Sequence, residues 1–348
     1  MKSETLIALQ GQFAAAAALV EALNAKRRLW GEFMHPVRTV ISTLTLVFGL
    51  TSSASAITFS FTTIDVPGSL GTVAQDINNS GAIVGVFSAS PPAAVRQGFL
   101  LSGGSFTPLI VPGAPRTAAA NINDPGQIVG FFRDTAVVNH GFLLSGGGFT
   151  TIDPAGATAS FANGINDSSG IVGQYTDAAG IDHGFLLSGG TFTTIDIPGA
   201  TSTSANDIND AGLIVGFFTD AAGRDRSYLR NLDGSFTLID VPGATDTRVE
   251  GGINNRGDIV GDFTDPTGAI HGFLLSNGAF TTIDVPGATD SFAIGLNDLG
   301  AIVGAFDPSG PNPRRLGFLA TPVPEPSTLL LFAAAFLGLA GWRWHGSR

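Results

Sequence analysis

The 348-residue chain contains no cysteine, and only 13% of its residues are charged. The absence of cysteine excludes disulfides, thiolate zinc sites and cysteine nucleophiles. Lysine is also scarce, because it occurs only at Lys2 and Lys26. Between Ile57 and Ala320 there are 24 acidic residues against 10 arginines, a net charge of −14. A surface of this kind repels nucleic acids and anionic lipids, so we expect no nucleic-acid partner.

The segment 34–56, MHPVRTVISTLTLVFGLTSSASA, has the composition of a secretory signal peptide. A positively charged start leads into an apolar stretch, and the small residues Ala54 and Ala56 define a cleavage site after Ala56. Residues 1–33 precede this segment, although a signal peptide normally begins a protein. Either Met34 is the true start and residues 1–33 are a non-native extension, or they form an unusually long n-region.

The tail, residues 321–348, combines a short motif, an apolar run and a basic end. The apolar run, Leu329–Trp342, has 14 residues, and Arg343 and Arg348 follow it. As a hydrophobic helix it would be about 21 Å long, which is short of the ~30 Å hydrocarbon core of a bilayer. This length favours transient insertion into a membrane over permanent anchoring. The motif is Val323-Pro324-Glu325-Pro326-Ser327-Thr328.

This order of motif, apolar segment and basic end resembles the PEP-CTERM sorting signal of Gram-negative bacteria. The resemblance implies an exosortase as processing partner, transient insertion into the inner membrane and removal of the tail near Pro324–Thr328. It also implies a host that makes exopolysaccharide, and an extracellular or cell-surface destination. An ordinary short anchor behind a proline-rich linker is the alternative.

The middle of the chain, residues 57–320, consists of six copies of one unit. Each copy contains FTTIDVPG or a variant of it, an Ile-Asn-Asp/Asn turn with glycine, an IVG run and a GFLLS-like run. Four short strands joined by glycine and Asx turns are typical of a propeller blade. The copies are 43 to 45 residues apart and start at Phe61, Phe106, Phe149, Phe192, Phe236 and Phe280.

Six such units predict an all-β, six-bladed β-propeller. The sixth unit ends after its Gly-Phe-Leu run, so we expect the N-terminal strand near Phe59–Val66 to complete the last blade and close the ring. Closure would remove the exposed sheet edges that invite aggregation. A linear β-solenoid is the alternative, although its coils are usually shorter and it would need capping units.

The pattern of an Ile-Asn-Asp/Gly turn, IVG and His-Gly-Phe resembles the HAF family of extracellular repeats, over about 260 residues. The copies in this chain have glycine where that family's His-Ala-Phe run has alanine. The resemblance implies an extracellular location and a repeat architecture. That family has no established activity, so the resemblance does not indicate a function.

Three histidines at equivalent positions of different units are the first candidates for ligand binding: His140, His183 and His271. The other units have Gln97, Arg226 and Leu316 there, a variety that a metal site would not readily tolerate. We therefore favour a hydrogen bond from each histidine to a neighbouring loop, with glycan contact as the alternative. Arg226 and Tyr228 belong to a basic, aromatic stretch that could bind an anionic sugar, since arginine pairs bidentately with carboxylates.

The stretch Asp207–Gly212, DINDAG, partly matches a calcium loop. Its third carboxylate is out of place, and no glutamate follows at the required distance. Side chains that bond back to their own turn explain the pattern more simply. We expect no cofactor, with calcium as the alternative.

Catalysis normally needs a non-repeating constellation of residues, and the sequence contains no nucleophile elbow, phosphate loop or metal-ligand spacing. The sequence therefore predicts a non-catalytic, secreted protein that serves as a structural or adhesive component of an exopolysaccharide matrix. A carbohydrate-binding, lectin-like propeller is the alternative. A polysaccharide lyase or glycosidase is a less favoured one.

Overall fold

The computed structural model describes residues 57–89, 96–310 and 314–323, which belong to one compact unit that begins at Ile57. These residues form strands and turns. Numbered in chain order, the strands are β1 (Phe59–Ile64), β2 (Gly71–Ile77), β3 (Ile83–Ser88), β4 (Arg96–Ser102), β5 (Ser105–Leu109), β6 (Arg116–Ile122), β7 (Ile128–Arg133), β8 (Asn139–Ser145), β9 (Gly148–Ile152), β10 (Ala159–Ile165), β11 (Ile171–Thr176), β12 (Asp182–Ser188), β13 (Thr191–Ile195), β14 (Ser202–Ile208), β15 (Ile214–Thr219), β16 (Asp225–Arg230), β17 (Phe236–Ile239), β18 (Asp246–Arg248), β19 (Ile259–Thr264), β20 (Ile270–Ser276), β21 (Ala279–Ile283), β22 (Ala288–Leu296), β23 (Ile302–Pro308) and β24 (Leu316–Pro322).

The strands form six four-stranded antiparallel sheets, and each sheet is one blade of a β-propeller. The first five blades use consecutive strands: β2–β5, β6–β9, β10–β13, β14–β17 and β18–β21. The sixth contains β22, β23 and β24 together with β1, in the order β1-β24-β23-β22. The first strand of each blade, from β2 to β22, faces the central channel. The predicted six-bladed ring is confirmed, and the solenoid alternative is excluded.

The ring closes through β1, as the sequence predicts. Phe59 pairs with Pro322 and Ile64 with Gly317 along the whole length of the two strands, and the Val323 N–H donates to the Thr58 carbonyl at 2.9 Å. Each FTTID-like strand is therefore the outermost strand of the preceding blade, so that the sequence repeat is offset from the blade by one strand. Both ends of the described ring leave it at the same place.

An aromatic side chain from each GF run packs between neighbouring blades. These six side chains are at most 1% exposed: Phe99, Phe142, Phe185, Tyr228, Phe273 and Phe318. The glycine of the IVG run lies against the aromatic ring of the same blade. At Gly173, for example, a Cβ would overlap the Phe161 carbonyl and the Phe185 ring. Packing within the blade thus requires both residues of the repeat, because interiors have no room for an added methyl group.

The innermost strand carries a β-bulge in five of the six blades. The extra residue of each bulge is Gln75, Ala120, Asn163, Asn206 or Ile294. In the fifth blade β18 is short, and an isolated bridge between Ile253 and Ile259 takes the place of its last pairs. A bulge interrupts the alternation of side chains between the two faces of a strand. The bulges therefore determine which side chains of the innermost strands point into the channel.

The signal peptide and the hydrophobic C-terminal helix that the sequence predicts lie outside the described residues, as does the extension 1–33. Within 57–323, the described residues contain no helix long and apolar enough to cross a membrane.

Candidate functional site

One end of the central channel is encircled by a ring of six asparagines, one from the Ile-Asn turn of each blade. Each side-chain Nδ2 donates to the backbone carbonyl of the corresponding asparagine in the next blade, at 3.0 to 3.2 Å. The last link joins Asn297 to Asn78, 219 residues away. The ring asparagines are Asn78, Asn123, Asn166, Asn209, Asn254 and Asn297.

Each ring asparagine also accepts a hydrogen bond within its own turn. Asn209 Oδ1, for example, accepts from the Leu213 N–H at 3.0 Å, and the other five make the same contact four residues ahead. The position needs a donor and an acceptor on one short side chain. Only asparagine supplies both at this length, since aspartate cannot donate when ionised.

A second ring is formed by the next residue of each turn. Its backbone N–H donates to the side-chain Oδ1 of the corresponding residue in the next blade, at 2.8 to 2.9 Å. This position needs only an acceptor, which explains why either aspartate or asparagine occurs there. Its members are Asn79, Asp124, Asp167, Asp210, Asn255 and Asp298. The two rings surround a small cavity of about 70 Å³ at this end of the channel, and we refer to them as the floor.

The floor uses the residues that partly match a calcium loop. Asn209 and Asp210 belong to the two rings, while the Asp207 carboxylate accepts from the backbone N–H groups of Ile208, Gly252 and Ile253 and from Asn121 Nδ2. Burial raises the pKa of Asp207 to about 6, although these N–H donors act in the opposite direction. No group of three or more His, Cys, Asp or Glu side chains that could hold a metal ion occurs in the described part of the chain. Only Asn209 bonds back to its own turn, through the Leu213 N–H. Asp207 and Asp210 accept mainly from residues of other blades, so the turn explanation holds for Asn209 and the two aspartates join blades.

Asp76 is a second buried carboxylate beside the floor. Burial raises its pKa well above the ordinary value, and the negative charge of Asp207 adds to this rise. Asp76 accepts from the Ile122 N–H at 3.0 Å, which links the first blade to the second. Asp76 and Asp207 come from blades on opposite sides of the ring, so the floor brings two like charges together across the channel.

The other end of the channel widens into a cavity of about 270 Å³, which we call the mouth. Two sets of side chains line it. The first set is the bulge residues, and the second follows the glycine of the IVG run on the next strand: Val86, Phe131, Gln174 and Phe217. Amides, aromatic rings and aliphatic groups alternate around this wall, together with Arg96, Arg116 and Glu250.

The three repeated histidines lie on the blades, away from the mouth, and each is held between two carboxylates. His140 Nδ1 is 2.8 Å from Asp153 Oδ2, and its Nε2 is 3.5 Å from Asp134 Oδ2. The ring stacks on Phe132 with centroids 5.3 Å apart. His183 and His271 make the same contacts with Asp196 and Asp177, and with Asp284 and Asp265.

These carboxylates change the protonation of the histidines. Burial lowers the pKa of His140, but the hydrogen bond and negative charge of Asp153 outweigh it and leave the pKa above its ordinary value. The same balance raises the pKa of His183 and of His271. Both ring nitrogens are thus engaged by carboxylates of the same blade, an arrangement that suits a clamp between loop and strand.

The residue that replaces histidine in the other blades depends on whether the partner aspartate is present. Asp240 pairs with Arg226 at 3.4 Å in the fourth blade, and Asp65 pairs with Arg314 in the sixth. In the first blade Ile110 replaces the aspartate, and Gln97 replaces the cation. The aspartate before the Pro-Gly turn thus accompanies a cationic partner in five blades.

Arg226 and Tyr228 do not form a common surface. Tyr228 is fully buried in the position of the core phenylalanines, and its hydroxyl donates to the Ser204 carbonyl at 3.0 Å. Arg226 lies between Asp220, at 3.8 Å, and Asp240. The structure therefore separates these two candidates from each other and from His140, His183 and His271, each of which belongs to its own blade.

The signal-cleavage residues Ala54 and Ala56 lie outside the described residues, as does the sorting motif from Pro324 to Thr328. Val323, the first residue of the motif, is 45% exposed directly behind β24.

Sequence reasoning did not identify the mouth. Its lining comes from the positions at which the six copies differ, such as Gln75, Asn163 and Ile294 at the bulge, whereas the floor comes from positions at which they agree. The available signal was a position whose residue differs among the six otherwise similar copies. A residue with the same structural role in every blade stays the same, whereas a residue that acts at one point of the ring differs from its equivalents.

Comparison with known families matches residues 322–345 to the PEP-CTERM protein-sorting motif. The motif indicates that the chain is an exosortase substrate, exported and sorted at a membrane in a Gram-negative bacterium. The chain thus combines a six-bladed propeller with a C-terminal sorting signal. No curated protein matches it.

Several solved structures are similar in fold. AofleA from Arthrobotrys oligospora is 13% identical, with a TM-score of 0.48 over 77% of this chain and 88% of that one. A protein of unknown function from Dyadobacter fermentans is 12% identical, with a TM-score of 0.48 over 77% of this chain and 100% of its own. The Aleuria aurantia lectin is 12% identical, with a TM-score of 0.42 over 76% and 100%. These identities and TM-scores support no inference about ligand or activity.

Proposed function

We propose that this protein is an exported, non-catalytic propeller that an exosortase processes and that serves as a structural or adhesive component of the exopolysaccharide matrix. The sorting motif at residues 322–345 carries the proposal. The resemblance of the repeats to extracellular HAF repeats agrees with it. The site of action is the cell surface or the extracellular space.

The ring is compatible with cleavage at both the N-terminal and the C-terminal side. Its ordered strands run from Phe59 to Pro322, so cleavage after Ala56 and within Pro324–Thr328 would leave every strand intact. The Thr58–Val323 hydrogen bond holds the two exits together. The hydrogen-bonded floor and the closing strand supply the cohesion that disulfides give to many secreted domains.

The proposed absence of catalysis rests on how the acid and base groups are used. His140, His183 and His271 have both ring nitrogens engaged by aspartates. A general base must be free to reach a substrate proton. Incubation with a bacterial exopolysaccharide should leave its chain length unchanged, and shortening of the polymer would indicate a lyase or glycosidase instead.

The intact mass of the purified protein tests the processing. In a host with an exosortase, we expect a chain that begins at Ile57, ends between Pro324 and Thr328, and lacks Trp342 and Trp344. In an exosortase-deletion strain the tail should remain, as it should in a variant with Pro324→Ala and Pro326→Ala. Full-length protein retained in the membrane of the exosortase-containing host would contradict the proposal.

A carbohydrate-binding role is the second candidate, and the mouth favours it. Its wall combines amides, such as Gln174 and Asn163, with the aromatic rings of Phe131 and Phe217. Ligand sites typically pair apolar surface with a few placed polar groups in this way. A glycan array probed with the processed protein tests this role, and an array without binding would contradict it.

A further inference from the structure

Two arginines of this acidic protein, Arg96 and Arg116, line the mouth. Neither they nor the adjacent Arg133 has a carboxylate partner within 4 Å in the described residues. Of the ten arginines in the described residues, six form ion pairs within 4 Å: Arg224, Arg226, Arg248, Arg256, Arg314 and Arg315. Of the other four, Arg96 and Arg116 line the mouth. Arg133 is the direct cross-strand neighbour of Arg116 in the β6–β7 pair.

This placement opposes ordinary electrostatics. Like charges directly opposite each other on neighbouring strands destabilise a sheet, and the repeat region has 24 acidic residues that could have neutralised them. Arg133 Nε donates to Asn139 Oδ1 at 3.0 Å. The Arg116 guanidinium lies 5.2 Å from the centre of the Phe131 ring. Neither contact supplies a negative charge.

Arg116 also has a buried donor without an acceptor. Its Nε is the one buried side-chain nitrogen or oxygen in the described residues that has no hydrogen-bond partner. Such a group normally costs about 1–3 kcal/mol, and native structures contain few of them. Burial lowers the pKa of Arg116, and the charges of Arg96 and Arg133 add to this effect. Because Nε is enclosed by the protein, an anion from outside the chain would contact the terminal nitrogens of this guanidinium, which lines the mouth.

Glu250 is the acidic side chain that lines the mouth. It lies 3.7 Å from Arg248 Nη1, on the far side of the ring in the fifth blade. The neighbouring Asp262 is buried and 7% exposed. Burial raises its pKa to about 7. Glu250 therefore lies across the mouth from Arg96 and Arg116, and in the described lining the first and second blades contribute no carboxylate to the mouth.

We propose that the mouth binds the carboxylate of an acidic sugar, with Arg116 as the principal contact and Arg96 and Arg133 as supporting charges. A guanidinium fork matches a carboxylate with two parallel hydrogen bonds. Phe217 contributes an aromatic ring to the lining for contact with the C–H side of a sugar, and the amide of Gln174 and the Oδ1 of Asn163 are available to its hydroxyls. The cavity, about 270 Å³, is smaller than sites for drug-sized ligands, which begin at roughly 300 Å³, and suits one monosaccharide unit.

This inference deepens the carbohydrate-binding candidate, and its test needs no exosortase. Isothermal titration of the purified protein compares D-galacturonate with D-galactose, which lacks the carboxylate. We expect galacturonate to bind at least about tenfold more tightly, as charge-assisted hydrogen bonds predict. The affinity should fall as salt is raised, because the contact is ionic. Acetate should bind more weakly than galacturonate, since it makes no sugar contacts.

Arg116→Gln should reduce galacturonate affinity at least about tenfold and leave the weak galactose binding unchanged. Arg230→Gln is the matched control, because Arg230 also has no ion pair in the described structure but does not line the mouth. Circular dichroism checks that each variant is folded. Should Arg116→Gln fail to fold, Arg96→Gln replaces it, since Arg96 is exposed and its loss should also weaken binding.

Three results would overturn the inference. The first is no galacturonate binding by the wild-type protein up to about 10 mM, a level at which even very weak sites are occupied. The second is equal binding of galacturonate and either galactose or acetate. The third is equal loss of affinity in Arg230→Gln and in the mouth variants. Normal tail removal with any of these results would leave the processing proposal standing.

Discussion

Replacing Asn209 by alanine would remove one link of the asparagine ring. Asn209 is 4% exposed. Its Nδ2 donates to the Asn254 carbonyl at 3.0 Å, and its Oδ1 accepts from the Leu213 N–H at 3.0 Å. The first bond joins the fourth blade to the fifth, and the second holds its own turn. Both would be lost in Asn209→Ala.

The cost follows from what each former partner has left. The Asn254 carbonyl keeps the hydrogen bond from the Gly257 N–H at 3.0 Å, so it loses about 1 kcal/mol, the net value of one bond. The Leu213 N–H is left without its acceptor in a part-buried place, which costs about 1–2 kcal/mol. We therefore expect Asn209→Ala to lower the free energy of unfolding by about 2–3 kcal/mol.

Two further variants make the test specific. Asn231→Ala removes hydrogen bonds from Asn231 Nδ2 to Ser235 Oγ and Thr237 Oγ1, at 3.0 and 3.1 Å, in an exposed hairpin. Water can replace these, so the loss should stay below about 1 kcal/mol. Asn209→Asp keeps the acceptor but loses the donor, and its carboxylate would face the Asn254 carbonyl. It should be at least as destabilising as Asn209→Ala.

Guanidinium denaturation followed by circular dichroism gives the three differences. The midpoint shifts should rank Asn231→Ala well below the two Asn209 variants. If Asn209→Ala shifted the midpoint no further than Asn231→Ala, or if Asn209→Asp matched the wild-type protein, the donor role assigned to the ring would be refuted.

Three further predictions concern the closure, a buried acid and the histidine clamps. Ser60→Cys with Thr321→Cys should form a disulfide between β1 and β24, because these residues are register partners. The disulfide should raise the free energy of unfolding by up to about 5 kcal/mol, and thermal unfolding with and without reductant measures the difference. Burial raises the pKa of Asp262 to about 7, so its contribution to stability is full below pH 4 and lost as pH rises through 7. Asp262→Asn should therefore gain up to about 4 kcal/mol over the wild-type protein at pH 8. A double-mutant cycle on His140 and Asp153 should give a coupling of about 0.5–1 kcal/mol, present below the ordinary histidine pKa and lost as pH rises through the raised one.

Each of these has its own control. Disulfide stabilisation that persists in reductant would contradict the closure argument. Asp233→Asn, on an exposed turn where hydrogen bonds from Ser235 lower the aspartate pKa, should show none of the alkaline gain of Asp262→Asn. A His140–Asp153 coupling that is unchanged from pH 5 to pH 9 would show that the pair is not ionic.

Repetition in the sequence was enough to predict the number of blades and the closing strand. Each of the six units carries its own turn residues and alternating strands. The local propensity of every unit therefore matches the blade that the whole fold requires of it. The unit that lacked an outer strand required one from elsewhere, and Phe59–Val66 was the segment available. The structure confirms this pairing and ends β1 at Ile64, two residues earlier, because Val66 already belongs to the Pro-Gly turn.

The sequence also showed that His140, His183 and His271 are equivalent, but not what they touch. Their partners lie 13 residues onward, on the adjacent outer edge of the same blade. Only the strand register brings Asp153 next to His140. Tyr228 is the opposite case, because the sequence offered it as a candidate for ligand binding and the structure buries it at the position of the core phenylalanines.

By itself, the sequence determined the blade, its count and the residue types that the floor needs, since these depend on local signals repeated in every copy. The tertiary structure alone decided which side chains converge. The bulges redirect Gln75 and Asn163 into the mouth, and closure of the ring brings Asn297 to Asn78. Strand pairing within the second blade places Arg133 beside Arg116, and the neighbouring first blade contributes Arg96. No local pattern encodes these contacts, because the link from Asn297 to Asn78 spans 219 residues and the mouth is assembled from several blades.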